Sequence, residues 1–198
     1  MIVNHEQRFV FVHIPKVAGT SIRSALRKVD GCHRPEWATT KHLPAEDIIS
    51  RHRDHGIDVS GYLFFGFVRN PWDRFASLHR YLHKIGRERH PDVPSELSDF
   101  PLMLADEVPW VEKLHSTRPQ CDFLRNAKVQ VGRYERLADE FALICNRLGI
   151  SPTMRRRNAT LAEPADYRPL YSERAARIIE MRYAQDIEQF GYTFEPGE

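Results

Sequence analysis

Cysteine is scarce in this chain: Cys32, Cys121 and Cys145 are the only three among 198 residues. An odd, small number does not make a disulfide framework. It points to a reducing compartment, and a cytoplasmic protein is expected. No apolar run reaches the length of a membrane span, and the first residues, MIVNHEQR, lack the pattern of a signal peptide. Neither sign of charge dominates, because 29 Lys and Arg face 27 Asp and Glu for a formal charge of +2. That balance argues against a strongly basic nucleic-acid binder. Internal repeats and low-complexity tracts are absent. Also missing is the Gly-Lys-Ser/Thr ending of a Walker A loop.

What is present is an ordinary globular composition, 41% hydrophobic and 28% charged. The length suits one domain over residues 1–198. Residues 8–25, RFVFVHIPKVAGTSIRSA, organise the rest. Phe9, Val10, Phe11, Val12 and Ile14 form a continuous β-prone run, as in a strand covered on both faces. Pro15 ends it. Ala18 and Gly19 are small enough for a close approach to the backbone. Thr20 and Ser21 then open a helix with Ile22, Ala25 and Leu26 on one side. A helix start directs N–H groups and a positive dipole end outward, and Lys16 stands beside it. Two readings stay open on these residues: a phosphate site, or an ordinary strand-turn-helix with a chance lysine.

Further along, residues 44–55 read as a helix started by Pro44, and residues 62–68, YLFFGFV, as a second buried strand. Residues 71–85 read as a helix with Asn70 as N-cap and Pro71 in first position. Its stripe is Trp72, Phe75, Leu78, Leu82 and Ile85. Residues 86–101 are polar and proline-rich, a candidate loop or lid. Residues 102–124 read as helical pieces broken at Pro109 and Pro119. KVQVGRY, residues 128–134, reads as a third strand. An amphipathic helix follows and stops at Gly149, and a last one runs from Ser172 to Gly191. Apolar strands alternating with helices predict an α/β fold, a P-loop-like three-layer arrangement with a central parallel sheet flanked by helices. Ligands of such sheets sit at strand C-terminal ends, where Lys16 and Arg69 fall.

Arg69 closes the second strand and Ser77 lies two turns into the next helix. Together they can hold a phosphate, or Arg69 can pair with Asp73 while Ser77 is solvated. IPKVAGTS followed by FVRNPWDRFASLHRY resembles the family-2 sulfotransferases, which include carbohydrate sulfotransferases and use 3′-phosphoadenosine 5′-phosphosulfate (PAPS). VGRYERLADEF and the closing helix extend the resemblance over nearly the whole chain. It implies that Lys16, Gly19, Thr20 and Ser21 hold the 5′-phosphosulfate and that Arg69 and Ser77 hold the 3′-phosphate. Val17 and Ala18 depart from the family's Thr and Gly; a cradle of backbone amides tolerates both changes. The implied reaction is in-line transfer of a sulfuryl group from PAPS to an acceptor hydroxyl, a sugar among the candidates, leaving PAP. No metal is implied.

For the acceptor's proton, the natural base is a histidine. His42, in TTKHLPAEDI, is the candidate, because that segment looks like the Lys-Thr-His-Leu-Pro stretch of the related cytosolic sulfotransferases. Lys41 directly precedes His42, one residue away from the related position. His33 and Glu36 are reserves. Lys16 is placed to neutralise the leaving phosphate. Tyr134 ends the third strand and reads either as a ring against adenine or as core. His13, on the buried strand, reads as a satisfied core residue. His79 and His83 are four apart on one helix, but the sequence supplies no third ligand, and no metal site is expected. Arg155, Arg156 and Arg157 form a basic loop that could reach the cofactor. Two other classes compete: a P-loop-type kinase, which would need a Gly-Lys-Ser/Thr loop and an acidic Mg²⁺ ligand, and a non-catalytic nucleotide-binding module.

Overall fold

The computed structural model of the protein describes residues 1–85, 90, 92–152 and 166–195. The basic loop of Arg155, Arg156 and Arg157 lies outside them, as does part of the candidate lid. The strands are β1 (Ile2–Asn4), β2 (Phe9–Val12), β3 (Cys32–His33), β4 (Leu63–Val68) and β5 (Val129–Arg133). The helices are α1 (Gly19–Leu26), α2 (Ala45–Asp54), α3 (Pro71–Ile85), α4 (Leu102–Ala105), α5 (Pro109–Glu112), α6 (Cys121–Leu124), α7 (Leu137–Leu148), α8 (Glu173–Arg182) and α9 (Ala184–Phe190). They group into two compact units. The first combines residues 1–68 with 120–152, and the second combines 69–119 with 166–195.

The first unit holds the sheet, in the order β3-β1-β2-β4-β5. β2, β4 and β5 are parallel, as the alternating pattern predicts. β1 is antiparallel to both β2 and β3, so the sheet is mostly rather than wholly parallel. All four residues of β2 are fully buried, which matches their unbroken apolar run. The Phe65 ring of β4 sits 5.9 Å from Phe9 and 5.4 Å from Phe11. The β1–β2 turn is held by buried Asn4, whose amide donates to the Asp30 carbonyl at 2.8 Å and whose oxygen accepts from the Gln7 N–H at 2.8 Å. On β5, Gly132 is bare because a Cβ there would meet the Phe67 ring at 2.5 Å. The next amide, Arg133 N–H, donates to Glu140 of α7 at 2.7 Å.

The second unit is helical. Asn70 accepts from the Trp72 N–H at 3.1 Å, and Pro71 fills the first position of α3, as its sequence predicts. Trp72, Phe75, Leu78 and Leu82 are buried, and Phe100 stacks on Phe75 at 4.7 Å. The Ser172 hydroxyl caps α8 by accepting from the Ala175 N–H at 3.2 Å. The single closing helix expected from the sequence is two, broken at Tyr183. That ring is fully buried, and its hydroxyl donates to the Thr117 carbonyl at 2.9 Å. Burial pushes the phenol up to about 12. Among the described residues, no helix is long and apolar enough to cross a membrane.

Candidate active site

Because β2, β4 and β5 run parallel, their C-terminal ends share one edge of the sheet. From those ends the chain continues into the Lys16 loop, Arg69 and Tyr134 respectively.

The loop after β2 is built from backbone that L-residues rarely adopt. Lys16 has φ +67° and Ala18 φ +58°, with Val17 buried between them. Such alternation turns successive amides toward one side, the arrangement of an anion nest. Helix α1 starts at Gly19, one residue before the expected Thr20, with Ala18 as its N-cap. Alanine offers no capping oxygen, and no acidic residue lies in the first turn. The positive end of α1 therefore has neither a capping side chain nor a first-turn carboxylate of its own. Thr20 is exposed and Ser21 half-buried.

Gly19 has a reason the sequence does not reveal. A Cβ at this position would lie 1.8 Å from His13 Nε2, so the imidazole of His13 occupies the space against the helix start. His13 is buried as expected, but it is not satisfied, because its Nδ1 has no hydrogen-bond partner. Burial, reinforced by His42, the N-terminal ammonium, Arg23 and Lys41, holds its pKa far below the usual imidazole range. His13 is neutral at physiological pH.

The His42 ring lies against His13, with centroids 4.4 Å apart. Its Nδ1 is 2.8 Å from the His13 carbonyl. A carbonyl only accepts, so Nδ1 carries the hydrogen and the lone pair of neutral His42 is on Nε2. The Thr40 hydroxyl accepts from the His42 backbone N–H at 3.2 Å and shapes the same turn. His42 thus stands beside the strand that feeds the Lys16 loop. The reserve residues are elsewhere: His33 lies 5.4 Å from the His5 ring, and Glu36 is exposed.

Cations crowd this end of the first unit. Burial and then Arg23 lower the Lys41 ammonium. Burial, then Arg27 and Arg34, lower Arg23. Arg23 Nε is buried without a hydrogen-bond partner. A bound anion would relieve both the mutual repulsion and the orphaned donor. Sequence reasoning missed Arg23; the available signal was a cation one helical turn beyond the small residues of the loop.

In the second unit, Arg69 is buried and its Nε donates to Asp73 at 2.6 Å, the pairing that the sequence offered as the alternative. Asp73 also lies 3.8 Å from Arg80. The carboxylate fixes the plane of the Arg69 guanidinium. Ser77 is half-buried on α3. In the first unit, Tyr134 follows β5 directly and is buried. Among the described residues, no group of three or more His, Cys, Asp or Glu could hold a metal ion.

The left-handed loop, the helix start without a side-chain cap and the His42 ring thus meet around His13 in the first unit. The chain belongs to the sulfotransferase family, which residues 1–193 match. Among curated proteins it is similar to carbohydrate sulfotransferase 14 of Danio rerio, with 25% identity over 240 aligned positions. The alignment takes in 97% of this chain but 62% of that relative, so the chain spans less than two thirds of the relative's length. No solved structure matches it.

Proposed function

We propose that this protein transfers a sulfuryl group, in line, from PAPS to an acceptor hydroxyl, with a carbohydrate as the acceptor class. The acceptor class rests on the name of the Danio rerio relative. One observation carries the catalytic assignment: His42 Nδ1 is bonded to the carbonyl of His13, on the segment that leads into the Lys16 loop, so the lone pair of the neutral ring is on Nε2.

The crowded cations, the orphaned Arg23 Nε and the uncapped start of α1 suit an anionic group, as PAPS carries. PAPS supplies the activated sulfuryl group when bound. Lys16 neutralises charge at the bridging phosphate, and Gly19, Thr20 and Ser21 give the amides and hydroxyls of the 5′ cradle. Arg69, oriented by Asp73, and Ser77 are assigned the 3′-phosphate, and Tyr134 the adenine. His42 takes the acceptor's proton at Nε2 while Nδ1–H stays on the carbonyl.

The test is sulfuryl transfer from labelled PAPS to a panel of carbohydrate acceptors. His42→Ala is expected to lose at least about 100-fold in turnover, the low end for a general base, while PAP affinity is unchanged. Lys16→Ala should lose both turnover and affinity. Near-normal turnover in His42→Ala would overturn the assignment of the base.

A further inference from the structure

The second unit contains a three-atom constellation that sulfuryl transfer does not use. On α3, His79 and His83 are one helical turn apart, and both direct Nε2 at the carbonyl oxygen of Pro94, at 2.8 and 2.9 Å. The two nitrogens are themselves 3.1 Å apart. Three electron-rich atoms therefore form a nearly equilateral triangle. The ring centroids are 4.5 Å apart, farther than the nitrogens, so the rings converge tips-first on a common point.

The carbonyl oxygen accepts two hydrogen bonds, so two neutral imidazoles can both donate to Pro94, but the two N–H donors then sit with their nitrogens 3.1 Å apart. If only one donates, the other nitrogen turns a lone pair toward the carbonyl oxygen. A cation bound to all three atoms removes both conflicts. The dimensions agree: ligands about 2.1 Å from a metal in octahedral geometry lie about 3.0 Å from one another.

We propose that His79 Nε2, His83 Nε2 and the Pro94 carbonyl bind a divalent first-row transition cation such as Zn²⁺ or Ni²⁺, which ties the end of α3 to the segment carrying Pro94. Imidazole nitrogen selects this class over Mg²⁺ and Ca²⁺. Glu96 contributes negative charge at His79 and Arg80 opposes it. His83 is half-buried, whereas His79 is 7% exposed. The third donor is a main-chain oxygen.

Untagged protein stripped with EDTA and dialysed is titrated with Zn²⁺ by calorimetry. The expected result is one ion per chain, bound at least about 10-fold more weakly in His83→Ala, since losing even an outer partner of a metal ligand costs that much. The control His55→Ala, at an exposed histidine, should bind like wild type. Wild-type protein loaded with one equivalent of Cu²⁺ should show two imidazole nitrogens by electron paramagnetic resonance, a readout independent of how any variant folds. No binding, equal affinity in His83→Ala, or fewer than two coordinated imidazoles would overturn the proposal.

Discussion

At the scale of single residues, the contact between His13 and Gly19 joins the sheet, the helix start and the candidate base. Gly19→Ala forces a methyl into the His13 ring, and overpacking of a filled core costs about 1–3 kcal/mol. Removing the ring as well, in Gly19→Ala/His13→Ala, should recover part of that loss. A double-mutant cycle in urea measures the coupling, and additive effects would show that the ring is not the obstacle. The sequence placed Lys16, Gly19 and His42 in candidate loops because proline, glycine and motif spacing are local signals. It did not reveal that His13 fills the space against Gly19, or that half-buried Arg23 has an orphaned Nε. Those facts arise when separate segments meet. The pairing of Arg69 with Asp73 was legible, being one helical turn long.

At the scale of elements, the loop between β2 and α1 is under backbone strain. Ala18 sits at φ +58°, where glycine has no steric penalty. It is also an N-cap, a position where glycine is preferred to alanine. Ala18→Gly should therefore raise stability by about 1 kcal/mol, read as a higher urea midpoint with unchanged slope. A lower midpoint would mean that the loop does not need the left-handed conformation. Elements were legible where the local pattern was long: the apolar runs of β2 and β4, and the Asn-Pro start of α3. β1 and β3 were not, because three and two residues carry no periodicity and pair through partners distant in sequence. The break between α8 and α9 escaped for a similar reason. Tyr183 fits the helical stripe, and its hydroxyl bond to Thr117 comes from the tertiary structure.

At the scale of the whole molecule, acid should destabilise the fold. Burial lowers the pKa of His13, His52 and His79, and more weakly buried His5 shifts the same way. Below about pH 6.5, the ordinary histidine value, the unfolded chain takes up protons that the folded chain refuses. Their contribution to stability is complete above that pH and is lost as pH falls toward the depressed folded values. Melting temperature should drop between pH 7 and pH 5, and His52→Phe should flatten the slope. A melting temperature independent of pH over that range would contradict these assignments.

The proposed function requires a 3′-phosphorylated adenosine donor that binds without a metal. Calorimetric titration of PAP in EDTA, beside AMP in EDTA and ATP with Mg²⁺, tests it most directly. PAP is expected to bind in EDTA and more tightly than AMP, because only PAP carries the 3′-phosphate assigned to Arg69 and Ser77. Binding of ATP with Mg²⁺ and no binding of PAP would contradict it.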